Sequence, residues 1–258
     1  MVNKEKTNPS ISVLGSGWLG LSLVDEMVTK GFIVKGSTTS ESKLKLIEKI
    51  GAKPFVIDID NLITTNIRNF LETEILIVNI TSKSVEGFQN LINFINNSPV
   101  EKVIFVSSTS VYPFTNNEVT EKSSLKECAL ATIESLFQSS THFKTTVLRF
   151  SGLYNEQRHP GNFMKKGRII QNPDGYVNLI HKGDCIGIIL EVLKQECWGE
   201  VFNGCSNNHP KRKDFYIEQT KLIGRDSPIF NYSKPTQFKI IDNSKLKRVL
   251  NYSFKHDL

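Results

Sequence analysis

Residues 11–36 read Ile11-Ser12-Val13-Leu14-Gly15-Ser16-Gly17-Trp18-Leu19-Gly20-Leu21-Ser22-Leu23-Val24-Asp25-Glu26-Met27-Val28-Thr29-Lys30-Gly31-Phe32-Ile33-Val34-Lys35-Gly36. Ile11 to Leu14 has strand character, Leu21 to Val28 has helical spacing, Gly31 stops the helix, and Phe32-Ile33-Val34 opens a second strand. A G-x-G-x-x-G between a strand and a helix, inside such a βαβ unit, is the fingerprint of a dinucleotide-binding loop. The chemistry explains the residue types. Gly15 allows a tight turn, Gly17 lets the backbone approach a pyrophosphate, and Gly20 lets helix and strand pack closely. The N–H groups around Ser16, Trp18 and Leu19 and the positive helix end would hold the phosphates. The alternative is a glycine-rich turn with only a structural role.

The same rhythm continues outward. Ser42 to Ile50 has helical spacing and ends at Gly51; Pro54 to Asp58 reads as a third strand and Asn66 to Leu71 as a short helix. Glu74 to Ile80 is a nearly continuous apolar strand, as expected where both faces of a sheet are covered. Phe88, Leu91, Ile92 and Ile95 fall on one face of a helix. Val103 to Val106 is a fifth strand, Leu125 to Phe137 a helix and Thr145 to Phe150 a sixth strand. Alternating strands and helices predict a doubly wound parallel sheet of Rossmann type, an α/β fold with ligands at the carboxyl ends of its strands. After Phe150 the rhythm breaks. Tyr154 to Tyr176 is loop-rich, Val177 to His181 an edge segment, Asp184 to Lys194 a helix and Glu200 to Asn203 a last strand. Two more helices are read at Lys213 to Leu222 and Ser244 to Leu250, with Phe238 to Ile241 as an apolar segment between them. The domain reading is a nucleotide-binding domain over 11–150, joined by about 177–205, and a small substrate lobe over about 151–176 and 206–258.

Composition bounds the rest. The chain has 258 residues, 39% hydrophobic and 22% charged, which is ordinary for a globular protein. No apolar run reaches the roughly 18 residues of a membrane span. The polar start, Met1 to Ser10, reads as a lead-in rather than a secretory signal. The net charge of +6 is dispersed apart from Lys211-Arg212-Lys213 and Lys245 to Arg248, so a solvated surface is expected rather than nucleic-acid binding. The four cysteines, Cys128, Cys185, Cys197 and Cys205, form no C-x-x-C pair and show no metal-ligand spacing. A reducing cytoplasm and no metal are expected.

The second strand ends in Ser37-Thr38-Thr39-Ser40, where an acid would bind the ribose of NAD; none occurs before Glu41. Hydroxyls there can donate to a 2′-phosphate, which favours NADP over NAD; the alternative is a polar turn that discriminates nothing. Asp58 ends the third strand and could accept from the adenine amino group, or simply cap a turn. Asn79-Ile80-Thr81, at the end of the fourth strand, would face the cofactor, so Ile80 and Thr81 join the cofactor-binding candidates.

The fifth strand ends in Val106-Ser107-Ser108-Thr109-Ser110-Val111-Tyr112. This stretch resembles the strand-end motif of the extended short-chain dehydrogenase/reductases, the NAD(P)-dependent epimerase/dehydratase family. The glycine loop matches that family's phosphate loop. Leu148 to Tyr154 resembles its R-x-x-G-x-Y signature, and Asn178 to Asp184 its I-H-x-x-D segment. The four motifs run in order from Ile11 to about Asn203. The resemblance implies that Ser108, four residues before the motif tyrosine, hydrogen-bonds the substrate oxygen. It also implies a Y-x-x-x-K pair on the next helix, followed four residues later by a glutamate. Aligning that glutamate with Glu134 puts Leu130 at the lysine and Lys126 at the tyrosine, and Leu125 to Phe137 contains no tyrosine. The chain therefore resembles an atypical branch that keeps the cofactor site and lacks the pair.

Replacement proton donors are Tyr112 and Tyr154, at strand ends, and His159, whose imidazole side chain is of the acid/base type. Arg158 could clamp a substrate phosphate or carboxylate. Each has a plain structural alternative, packing for the tyrosines and exposed loop for Arg158 and His159. His181 and Arg149 read as structural. The expectation is an NADP-dependent oxidoreductase or epimerase-like enzyme acting on a small polar or anionic substrate. The other class is a non-catalytic NAD(P)-binding sensor or scaffold.

Overall fold

The computed structural model describes residues 9–163 and 169–258. Of the polar lead-in only Pro9 and Ser10 fall within this range, and Gly167 of the loop-rich stretch lies outside it. The glycine loop joins β1 (Ser10–Leu14) to α1 (Trp18–Thr29). There follow β2 (Ile33–Thr38), α2 (Leu44–Lys49), β3 (Lys53–Val56), α3 (Thr64–Leu71), β4 (Ile75–Val78), α4 (Val85–Ile95) and β5 (Lys102–Ser108). Next come β6 (Glu118–Val119), α5 (Ala129–Gln138), β7 (Lys144–Phe150), β8 (Gly152–Tyr154), β9 (Ile169–Gln171) and β10 (Leu179–His181). The chain ends through α6 (Lys182–Gln195), β11 (Val201–Gly204), α7 (Arg212–Leu222), β12 (Ile229–Asn231), β13 (Ile240–Ile241) and α8 (Ser244–Leu250).

Seven strands form one sheet in the order β11-β7-β5-β4-β1-β2-β3. β1 pairs parallel with both β2 and β4, β2 with β3, and β4 with β5. The order reverses direction between β1 and β4, the switch point at which a doubly wound sheet opens a crevice for ligand. The Rossmann-type α/β expectation is met. All four residues of β4 are buried, so its apolar run has no polar alternation to show. α4 buries Phe88, Leu91 and Ile95 on one face, and the Ser84 hydroxyl caps it by accepting from Gly87 N–H at 3.1 Å. Phe88, Phe105, Phe137 and Phe143 pack as one aromatic group, with Phe105 and Phe137 stacked at 4.8 Å. Such a pair adds about 0.5–1.5 kcal/mol beyond its buried area.

The chain forms two compact units. The first comprises Met1–Ser107, Glu127–Val147 and Cys197–Glu200; the second comprises Ser108–Lys126, Leu148–Glu196 and Val201–Leu258. The second unit contains three two-stranded parallel pairs, β10 with β8, β12 with β9 and β13 with β6. Ile170, Val177, Leu179, Phe215 and Tyr216 form its apolar cluster, with Tyr154, Phe163, Phe230 and Leu258 packed against it. α8 stops at Asn251, whose φ of 47° is left-handed, a conformation asparagine tolerates better than most residues. Among the described residues no helix is long and apolar enough to cross a membrane.

Candidate functional site

In the first unit the glycine loop is built by three contacts from neighbouring strand ends. Gly15 sits at φ 100°, and a Cβ there would lie 2.4 Å from the Asn79 carbonyl oxygen. A Cβ on Gly20 would lie 2.0 Å from the Gly15 carbonyl oxygen, so α1 and the loop can meet only as glycines. The Asn79 Nδ2 donates to that same Gly15 carbonyl at 3.1 Å. The Gly15 N–H donates to the Ser37 hydroxyl at 3.0 Å, and the Ser16 N–H to the Ser37 carbonyl at 2.7 Å. Ile80 packs against the turn, its Cγ2 2.5 Å from a Cβ built on Gly15.

This loop fits a bound pyrophosphate on three observations. α1 begins with no side-chain cap and no acidic residue in its first turn. A Cβ added to Gly17 would meet nothing within 4 Å. The Ser16 hydroxyl is buried without a hydrogen-bond partner in a residue only 7% exposed. A buried orphan hydroxyl costs about 1–3 kcal/mol, and a phosphate oxygen at an uncapped helix N-terminus satisfies it. Trp18 is 37% exposed beside this loop, while Leu19 faces the core.

The other cofactor candidates are placed as follows. The Ser37 hydroxyl is engaged with the loop and its side chain is buried. Thr38 accepts from Ser40 N–H at 3.2 Å, and Thr39 is exposed. Asp58 lies past the end of β3, accepting from Asp60 N–H and Asn61 Nδ2 at 3.1 Å each. Thr81 is exposed. At the carboxyl end of β5 the Ser107 hydroxyl donates to Glu134, a fully buried carboxylate on α5.

In the second unit Ser108 caps a 3-10 turn, Thr109–Val111, its hydroxyl accepting from Ser110 N–H at 3.1 Å. That bond takes a lone pair and leaves the hydroxyl proton free to be donated. Two more groups brace this turn: Lys126 N–H donates to the Val111 carbonyl at 2.9 Å, and Lys239 Nζ donates to the carbonyls of Thr109 and Tyr112 at 2.8 and 2.6 Å. Burial, with Lys126 nearby, lowers the Lys239 ammonium to a pKa of about 8. Tyr112 is only 1% exposed. Its hydroxyl donates to Asn203 Oδ1 at 2.7 Å and accepts from Arg149 Nη1 at 2.8 Å; burial raises its pKa.

Tyr154 belongs to a second group. Its ring stands edge-on to His181, with centroids 5.2 Å apart, and its hydroxyl donates to the Asp257 carbonyl at 3.4 Å. Burial, then the nearby Asp184, push its pKa up to about 12. Asp184, fully buried at the start of α6, accepts from the Tyr252 hydroxyl at 2.9 Å and Lys255 N–H at 2.8 Å, and bonds His256 Nδ1 at 2.9 Å. The His181 ring stacks on His256 at 3.6 Å, and its Nδ1 caps α6 by accepting from Gly183 N–H at 3.1 Å. Burial, then His256, lower the His181 pKa. Among the described residues His181, Asp184 and His256 have the composition of a metal site, their ligand atoms lying within 4.8 Å of one another. The His181 and His256 Nδ1 atoms and both Asp184 oxygens are engaged in hydrogen bonds, while the buried His181 Nε2 has no hydrogen-bond partner among the described residues.

Arg158 is exposed, its guanidinium 5.7 Å from the Phe163 ring centroid. His159 Nδ1 accepts from Gly161 N–H at 3.1 Å, which leaves the proton of the neutral ring on Nε2. Lys239 and His256 escape the sequence reading: neither lies in a motif, and 127 and 72 residues separate them from Tyr112 and Asp184.

No family model matches the chain. Protein YeeZ of Escherichia coli (strain K12) is 25% identical over 263 residues, covering 95% of this chain and 96% of that protein. A putative NAD-dependent epimerase/dehydratase from Methylobacillus flagellatus superposes with a TM-score of 0.75 at 21% identity, over 97% of this chain and 94% of that one. The UDP-glucuronic acid 4-epimerase from Bacillus cereus in complex with NAD gives 0.76 at 18% identity, over 96% and 94%. From end to end, the chain has the Rossmann-type fold of the NAD-dependent epimerase/dehydratase structures.

Proposed function

We propose that this protein is an NADP-dependent oxidoreductase or epimerase-like enzyme of the atypical branch that lacks the Y-x-x-x-K pair, working on a small polar or anionic substrate. One observation carries the reading: an uncapped α1 N-terminus with the buried, unpartnered Ser16 hydroxyl beside it and open space over Gly17. Residues 15–20 would hold the pyrophosphate, with Ile80 and Thr81 on the same side of the sheet. The 2′-phosphate preference rests on the absence of any acid between Ser37 and Ser40 and on the exposed Thr39. The likeness to NAD-bound structures supports a nicotinamide cofactor, which when bound supplies hydride transfer.

The protein's own residues then orient and protonate. Ser108, one lone pair taken by the Ser110 N–H, would donate a hydrogen bond that polarises the substrate oxygen while keeping its proton. Tyr154 or His159 delivers the proton. A hydroxyl with a pKa near 12 stays protonated at neutral pH, and the His159 tautomer offers Nε2–H as a hydrogen-bond donor, with delivery of a proton requiring the imidazolium form. The Tyr112 hydroxyl has both its donor and its acceptor role filled by Asn203 and Arg149, which suits a scaffold better than a proton donor. Arg158 would meet an anionic group of the substrate. That same engagement of Tyr112, with no tyrosine on α5, favours a second reading, a cofactor-binding sensor without turnover.

Titration with NADPH and NADH, followed by calorimetry and Trp18 fluorescence, tests the site. Micromolar NADPH with weaker NADH supports the reading; equal affinity removes the phosphate preference, and no binding of either removes the reading. A carbonyl panel with NADPH separates enzyme from sensor, and Ser108→Ala with undiminished turnover would refute the assigned chemistry.

A further inference from the structure

Among the described residues, the segment after α8 is held on the second unit at β8, at the end of β10, at the start of α6 and on the apolar cluster. Asp184 alone ties three of its groups, the Tyr252 hydroxyl, the Lys255 N–H and His256 Nδ1. The His256 ring lies on His181, Leu258 packs on the apolar cluster, and the Asp257 carbonyl takes the Tyr154 hydroxyl proton. The segment thus occupies the hydroxyl assigned above as a proton donor.

We propose that Tyr252–Leu258 is an acid-released strap over Tyr154, closed at neutral pH by the stacked His181–His256 pair and opened when the second of the two imidazoles takes a proton. The proposal rests on the reading of Tyr154 as a site residue. Charge explains the direction. The His256 Nδ1 faces the Asp184 carboxylate at 2.9 Å and its side chain is 38% exposed, so a cationic ring there would have a partner. A second proton on His181 would then set two cations 3.6 Å apart, ring on ring, in a residue only 7% exposed. The groups facing the pair are Asp184 from α6, Glu156 after β8 with Oε1 3.3 Å from His181 Nε2, Tyr154 from β8, and Tyr252, Lys255 and Asp257 of the strap. Glu156 is 74% exposed at its side chain, so its attraction for His181 is screened by water, while Asp184 is already shared among three donors. The sign follows by linkage. His181 has its pKa lowered in the closed state, so closure is fully stable above about 6.5 and is lost as the pH falls below it. At one unit below 6.5, a closed state that refuses the proton is disfavoured by up to about tenfold.

The test is amide exchange of the full chain at pH 7.5 and 5.5, followed by mass spectrometry, with rates corrected against a free peptide of residues 251–258. The expected result is a loss of protection in the strap approaching about tenfold at pH 5.5, with peptides of α4 and β5 unchanged. His256→Phe keeps a ring on His181 but cannot titrate, and His256→Gln keeps a donor to Asp184; either should narrow the difference between the two pH values, since burial alone then opposes a proton on His181. Equal protection of the wild-type strap at both pH values would overturn the proposal, as would a pH-dependent loss that persists unchanged in both variants. Failure of the site reading looks different: the strap opens in acid, but Tyr154→Phe leaves turnover intact.

Discussion

Alanine at Gly17 and alanine at Gly20 should fail in opposite ways, and the contrast tests the loop more sharply than either change alone. At Gly17, φ is −81° and an added Cβ meets nothing within 4 Å, so folding should tolerate the methyl to within about 0.5 kcal/mol. The same methyl would stand where the pyrophosphate is proposed to approach. Overpacking of that kind costs about 1–3 kcal/mol, which at 1.4 kcal/mol per decade weakens dinucleotide binding about 5- to 150-fold. At Gly20 the Cβ would fall 2.0 Å from a backbone carbonyl and 2.8 Å from Asn79 Nδ2, so the protein itself must distort. A similar 1–3 kcal/mol then appears as lost stability, roughly 2–4 °C in Tm for each kcal/mol at this chain length. Thermal melts of both variants, paired with calorimetric titration of NADPH, read the two effects separately. A Gly17→Ala protein that melts like wild type and binds NADPH as tightly would refute the cradle. One that melts several degrees lower would show that Gly17 serves the fold instead.

Ser37→Ala removes the acceptor of the Gly15 N–H and should weaken NADPH and NADH by similar factors, about 1 kcal/mol, through a slackened loop. A selective loss of NADPH would instead return Ser37 to the 2′-phosphate. Lys239 releases its proton near pH 8 in the folded protein and near 10.5 unfolded, so stability should rise with pH across 8–9.5. Urea midpoints should show that rise in wild type and not in Lys239→Met, and a parallel rise in both would disprove it. Asp184→Ala leaves the Lys255 N–H and His256 Nδ1 without their acceptor, while the Tyr252 hydroxyl keeps only the residue-184 carbonyl at 3.3 Å; the change should cost about 1–3 kcal/mol. Unchanged urea unfolding would contradict it.

The sheet was legible where the chain announces itself by long apolar runs and glycine stops. Ile75 to Val78 can only be an interior strand, and Gly31 and Gly51 both take positive φ just where the reading ends a helix. β6, β8, β9 and β12 were not separately legible, since two or three residues cannot show a period. α5 starts at Ala129 rather than Leu125, because Lys126 gives its N–H to Val111 in a bond no local pattern encodes. The glycine loop was legible because the close backbone approaches at Gly15 and Gly20 fix where glycines must stand. Ser37 was read by position as a phosphate contact; its hydroxyl also accepts from an N–H 22 residues earlier, a bond no local pattern encodes. Asp58 shows the opposite limit: its capping partners, Asp60 and Asn61, lie within three residues, yet the sequence left two readings open. The His256–Asp184 bond spans 72 residues and exists only once the fold does.

The way the two units share the chain has a consequence for how the protein is made. Three separate stretches build each unit, and the crossing points at Ser107–Ser108 and Val147–Leu148 fall inside β5 and β7. A ribosome delivers residues in order, so the first unit, complete by residue 147 except for its last stretch, still waits for Cys197–Glu200. At about 5–20 residues per second that wait lasts some seconds, with β7 already out and its neighbour β11 not yet synthesised. During that interval β7 is a bare, apolar sheet edge, the kind of surface that chaperones cover and that joins nascent chains to one another. No cut in the gene yields either unit as one continuous fragment, and a truncation before Cys197 should aggregate rather than fold.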